Sequence, residues 1–303
     1  MRRLFSLAGS AAREALSEPL SAVMFLVATS TIHLLPVFHC HQFGEPARLP
    51  RECGFSGLMV FGLVFSTAAA MRAIGREIES GTAAAALSRP VSRPLFFVGK
   101  ILGVLAAFAL FGVAVAAASS LAVVSAEAGA VTASAGGSRI WGPGVAAGLG
   151  LTLLAFIGAA LANRLAQVRF CSVACVAVAL AQPLALGLAA IVPGAAAVDG
   201  RTVPAMLVLA TGCAVFTVMA GALAVRLRPA VVAALVAVAV AAAFAFPLRV
   251  LLPDLNRFWL VDRFAGGGVV PWGEIAGLVS AGGALVALWM VVGSLLLTRR
   301  DLP

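Results

Sequence analysis

Long runs without a single charged residue constrain this chain most. Residues 101–126, 170–198, 202–225 and 275–298 contain no Asp, Glu, Lys or Arg. A helix needs about 20 mostly apolar residues to cross roughly 30 Å of hydrocarbon. Within lipid every backbone polar group must be satisfied inside the structure, which leaves helices or closed barrels. The two-residue alternation of strands is absent, so the pattern predicts an all-α fold, a polytopic transmembrane helix bundle. Composition agrees, with 62% hydrophobic and 11% charged residues, against about 25% charged in soluble domains.

Hydropathy marks eight stretches, approximately 20–38, 55–75, 97–122, 144–163, 171–193, 203–224, 229–248 and 275–297. Six or seven spans is the alternative count, because 203–224 and 229–248 are joined only through Arg226–Arg228. With the N-terminus inside, all but seven of the 21 Lys and Arg residues fall in inner segments; the seven are Arg48, Arg51, Arg139, Arg201, Arg249, Arg257 and Arg263. That bias places both termini in the cytoplasm. It also accounts for the net charge of +9 as membrane topology, so no nucleic-acid partner is expected. The chain has no Tyr, leaving Trp141, Trp259, Trp272 and Trp289 as interface anchors. The segment from Arg249 to Trp272 reads as an outer interfacial helix, since Leu252, Phe258, Leu260 and Val261 alternate with charges.

The first residues differ in character. On a helical wheel Leu4, Leu7, Ala8, Ala11 and Ala15 share one face, while Arg3, Ser6, Ser10, Arg13, Glu14 and Ser17 occupy the other. This predicts an amphipathic helix lying in the inner interface, ended by Pro19. Arg13, Glu14 and Glu18 interrupt any signal-peptide core. The expected organisation is therefore 1–18 as interfacial helix, 19–298 as transmembrane domain and 299–303 as cytoplasmic tail.

The longest inner loop, Arg76 to Gly103, carries the functional signal. Glu77 and Glu79 are read as the start of a short cytoplasmic helix within 76–95, where acids favour the helix dipole. Gly81 permits a turn, Thr82 can cap the alanine-rich run after it, and Pro90 and Pro94 stiffen the exit. Lys100 is expected to anchor the next span at the inner surface. A rigid, charged helix there suits transmission of force from a soluble partner; an ordinary charged loop is the plainer reading.

The order E-x-E-x-G-T, L-S-x-P-V-S-R and G-K resembles the signature of ABC type-2 export permeases, most of all the group linked to maturation of multicopper enzymes and nitrous-oxide reductase. The resemblance rests on Glu77, Glu79, Gly81, Thr82, Leu87, Ser88, Pro90, Val91, Ser92, Arg93, Gly99 and Lys100. The N-terminal helix and terminal Arg299–Leu302 are also similar to that family. It implies a permease subunit of an ATP-driven exporter in a bacterial inner membrane, paired with a second permease copy. The loop, with Arg89 in it, is then the coupling helix docking on a separate ABC ATP-binding subunit, which holds ATP and Mg. Members commonly have six spans. This chain has no G-x-x-x-x-G-K-[ST] phosphate loop, so no cofactor of its own and no enzymatic activity are expected.

His33, His39 and His41 fall close together with Cys40 between the last two, and Cys53 lies further along the same outer loop. Three readings stay open: a metal site at His39, Cys40 and His41, a Cys40–Cys53 disulfide, or neither. Gln182 and Pro183 break a long apolar run and mark either helix packing or a substrate path. Gly144 and Gly148 form a small-xxx-small pair suited to close packing. Ion-coupled carriers place ionisable groups near the midplane, and none is expected here. The rival to an exporter is a membrane scaffold or carrier that helps assemble another protein without ATP.

Overall fold

A computed structural model describes residues 2–37, 46–81, 92–134, 136, 141–192, 202–245, 252–260 and 270–300. Among these there is no strand, and the apolar runs form helices. They are α1 (Arg2–Ser17), α2 (Pro19–Leu34), α3 (Arg48–Glu79), α4 (Arg93–Ser134), α5 (Gly142–Ala166), α6 (Phe170–Ala190), α7 (Thr202–Ala224), α8 (Pro229–Ala245), α9 (Leu255–Phe258) and α10 (Trp272–Thr298). Helix α3 runs through a π-helical turn at Arg72–Arg76 before its last α turn, Glu77–Glu79.

Six of these helices are long and apolar enough to cross a membrane, or seven if α1 and α2 are counted as one broken span. The chain is thus a multi-pass membrane protein by the length and composition of its helices. The expected eight spans are not all realised as long helices. Helix α2 has 16 residues and meets α1 at 68°, and α8 has 17. At 1.5 Å per residue both measure about 25 Å, short of the roughly 30 Å core. Helix α4 errs the other way, because it continues past residue 122 to Ser134 with Val123, Val124, Ala126 and Ala128 buried. Hydropathy alone does not locate such an end, since the helix is prolonged by protein contacts.

Helices α3, α4 and α7 form the centre. Phe25, Phe65 and Phe111 interlock there, with ring centroids 5.0–6.1 Å apart, and Ser66 shares a 2.7 Å hydroxyl–hydroxyl bond with Thr217. Helices α5 and α10 are peripheral, with most of their residues exposed or half-buried. The α5–α6 connection is tight: Gln167 adopts a left-handed φ of 54°, and Asn163 Nδ2 donates to the Val168 carbonyl at 2.5 Å.

Pro19 stands at the first turn of α2, where a missing N–H costs nothing, and sets the sharp corner after α1. The apolar stripe of α1 packs against protein. Leu4 and Leu7 pack over Gly99, and Ala8 and Ala11 pack against Gly103 so closely that a side chain there would collide with the Ala8 carbonyl. Phe5 points away and is 71% exposed. On the opposite side, α9 inserts Phe258 between Gly212 and Gly282, while Trp259 meets Phe55 edge-on at 5.9 Å. The apolar residues expected to alternate with charges here, Leu252, Phe258 and Leu260, are buried in the bundle. Val261 lies outside the described residues.

Candidate functional site at the charged end of the bundle

The N-terminal helix, the last turn of α3, the start of α4 and the end of α10 meet at one end of the bundle, joined by ion pairs and by arginine bonds to backbone carbonyls. Lys100 is only 5% exposed. An ammonium this deep is stable only when paired, and its Nζ pairs with Glu77 and, at 3.5 Å, with Glu14. A second group lies alongside: Glu18 Oε1 is 3.5 Å from Arg76 Nη1 and 3.9 Å from Arg72 Nε. Both arginines come from the π-helical turn, a geometry frequent at functional sites. Arg72 Nε and Nη2 are buried and find no hydrogen-bond acceptor among the described residues. A void of about 10 Å³ between Glu14, Glu18 and Arg72 has room for one bridging water.

The far side of this end is tied by backbone carbonyls. Arg93 Nη1 donates to the Thr298 carbonyl at 3.0 Å and the Arg300 carbonyl at 2.8 Å. Arg226 Nη2 donates to Arg299 O at 2.6 Å, and the Arg300 guanidinium to Val225 O. Cations that satisfy the terminal carbonyls of a helix also oppose its negative dipole end. Beside the ion-pair cluster, an open cleft of about 830 Å³ lies between α1 and the α5–α6 turn, with Arg13, Glu14, Gln167 and Arg169 at its edge.

The residues singled out in the sequence separate here. Glu77 and Lys100 meet, and Arg93 grips the tail. Glu79, Ser80 and Ser92 are exposed, and Gly81 has the left-handed φ of 71° that favours glycine. Thr82, Ser88, Arg89, Pro90 and Val91 lie outside the described residues. Two expectations need correction. Glu77 and Glu79 do not begin a separate helix; they end α3, where the dipole disfavours acids, and the Lys100 charge offsets that cost for Glu77. Lys100 itself is buried in an ion pair and does not reach for the surface. Sequence reasoning missed Glu14, Glu18, Arg72 and Arg76 as partners. An acidic i,i+4 pair just before Pro19 and a basic i,i+4 pair closing a span are nonetheless a readable signal, since each pair shares one helix face.

A second polar cluster ties α2, α5 and α6. His33 Nε2 and Gln182 Oε1 are 2.6 Å apart, Gln182 Nε2 donates to Thr152 Oγ1 at 2.7 Å, and Thr152 donates to Gly148 O at 2.7 Å. Because the Thr152 proton goes to a carbonyl, the amide must donate to Thr152 and accept from His33, which fixes the proton on Nε2. The His33 ring lies directly on Gly148, and Gly144 faces Ser125 and Trp141, as expected of the small pair. Gln182 is fully buried with both amide ends bonded, while Pro183 is exposed. This is a packing clamp that holds His33; His39, Cys40 and His41 lie outside the described residues. Cys53 is a free thiol, and among the described residues no three His, Cys, Asp or Glu side chains gather in a way that could hold a metal.

No known family model matches this chain, and no curated protein or solved structure matches it.

Proposed function

We propose that this chain is the permease subunit of an ATP-driven exporter of the ABC type-2 class. Its charged end then faces the cytoplasm of a bacterial inner membrane, a second copy stands beside it, and a separate ATPase subunit docks below. One observation supports this reading above others: the segment 82–91, at the centre of the resemblance, is bracketed by residues wired into four helices. On one side Glu77 joins Lys100 of α4 and, through it, Glu14 of α1. On the other, Arg93 holds the end of α10. A load applied to that segment reaches α1, α3, α4 and α10 through short, charge-assisted contacts.

Glu79 gives a clean test, because it is exposed and its replacement leaves the fold within about 0.5 kcal/mol. Glu79→Arg is expected to reduce co-purification of the ATPase subunit or its stimulated hydrolysis about tenfold, equivalent to ~1.4 kcal/mol. Unchanged yield and coupling in Glu79→Arg would count against a coupling role. A functional preparation without any nucleotide-binding chain would transfer support to the scaffold reading.

A further inference from the structure

The central helices leave an apolar groove of about 470 Å³ between α4, α7 and α10, and we propose that it holds one acyl chain of a membrane lipid, from the leaflet opposite the charged end. Its walls include Gly112 and Val113 of α4, Leu207 and Ala210 of α7, and Gly283 and Val286 of α10.

The groove is made by small residues that no neighbour fills. Elsewhere on these helices glycine admits a close partner: Gly282 receives Phe258, Gly221 receives Ile101, and Gly293 receives Phe97. At Gly283 nothing lies within 4 Å of where a Cβ would stand, and at Gly112 the nearest atom is Leu58 Cδ1 at 3.9 Å. The opening faces outward, with Val113 50% and Leu207 56% exposed.

Lining chemistry and dimensions select the occupant. Among the described residues no charged side chain borders the groove, and the hydroxyl of Thr211 already donates to the Leu207 carbonyl at 2.8 Å. Water needs two to four polar partners, and an unbonded polar group would meet a desolvation cost of about 2–7 kcal/mol, so only hydrocarbon is accepted. The walls run from Leu105 to Ala116 on α4 and from Val203 to Ala214 on α7. At 1.5 Å per residue each is about 16 Å long, close to half of the ~30 Å core and therefore to one leaflet. Val203 lies in the first turn of α7, at the end of the bundle away from Lys100 and Arg93, while Gly283 and Val286 lie near the middle of α10, so the groove runs from that end to the middle of the bundle. Its volume falls in the usual range of ligand sites, about 300–1,000 Å³. Lipid occupancy rests on the membrane fold and does not depend on the exporter reading.

The experiment uses the purified full chain in phosphatidylethanolamine–phosphatidylglycerol vesicles carrying a trace of phosphatidylcholine with a mid-chain diazirine. After photolysis, label at Val113, Leu207 and Val286 is expected to exceed label at Leu154 and Ile157, exposed residues of α5, by about fivefold, because the walls add dispersion contacts that an open helix face lacks. Gly283→Leu puts its Cβ in open space beside the groove and is expected to abolish that excess while leaving α5 labelling unchanged. Ala210→Leu serves if the first variant does not fold. Equal labelling of the two surfaces, or an excess that survives both variants, overturns the proposal. So does efficient cross-linking between copies through Gly283→Cys with loss of lipid label, which would make the occupant a second copy of the chain.

Discussion

Replacing Glu77 by glutamine isolates what holds the charged end together. The side chain of Lys100 is 6% exposed, that of Glu77 20% and that of Glu14 45%. The Glu14 contact is wet and longer, so its worth is that of a surface pair, about 0–1 kcal/mol. The Glu77 contact is the buried one, and removing a partner from a buried pair costs about 3–5 kcal/mol because the other charge is stranded. With Glu14 and partial hydration relieving Lys100, Glu77→Gln is expected to lose about 3 kcal/mol. Glu14→Gln should lose no more than about 1 kcal/mol. Lys100→Met leaves two carboxylates that can rotate toward water, and in the Glu77→Gln/Lys100→Met double variant no charge is stranded. That double variant should return to within about 1 kcal/mol of the parent, since an apolar substitute for a buried pair is often neutral. The assay is equilibrium unfolding in detergent monitored by tryptophan fluorescence, completed as a double-mutant cycle. Additive losses, with a coupling energy under about 0.5 kcal/mol, would refute the claim that a buried ion pair organises this end.

The geometry sets three further outcomes. Gly103→Leu is expected to free α1, because a side chain there meets Ala8 and Ala11; an overpacking cost of about 1–3 kcal/mol should appear as faster proteolysis at Arg13. Gln182→Ala leaves His33 and Thr152 without their shared partner and is expected to destabilise by about 1–3 kcal/mol, measured by the same unfolding assay. Exposed positions at opposite ends report orientation: in intact cells a cysteine at Gly273 should react with a membrane-impermeant thiol reagent, whereas one at Ser80 should be protected, and the reverse pattern would invert the topology.

Helices are more legible in this sequence than the contacts between them. Hydropathy locates every one of the six long helices, because lipid solvation is read from composition. Lengths are harder. Helix α2 starts at Pro19 as its hydropathy does but ends at Leu34, where a 3₁₀ turn at Leu35–Val37 takes over, and α4 outlasts its hydropathy signal because its extra turns pack on protein. Hydropathy marks Lys100 as an interface residue, since nothing local hints that its acids arrive from 86 and 23 positions away. Gln182 is visible as a polar break in an apolar run, but its partner His33 lies 149 positions earlier, in a stretch whose neighbouring histidines suggest another chemistry. Long-range pairing is the hidden layer.

Arg93 also imposes an order on biogenesis. Its carbonyl acceptors on Thr298 and Arg300 lie 205 and 207 residues downstream. At a synthesis rate of about 5–20 residues per second, the guanidinium is translated some 10–40 s before those acceptors exist. During that interval the early helices can insert and pair among themselves, with α1 already folded onto α4, but the ring of contacts at this end stays open. Closure waits for α10. A nascent chain stalled after α7 would therefore hold Arg93 in water at the membrane surface, ready for any competing anion or carbonyl. Quality control that senses such unsatisfied cations would distinguish a finished bundle from an unfinished one.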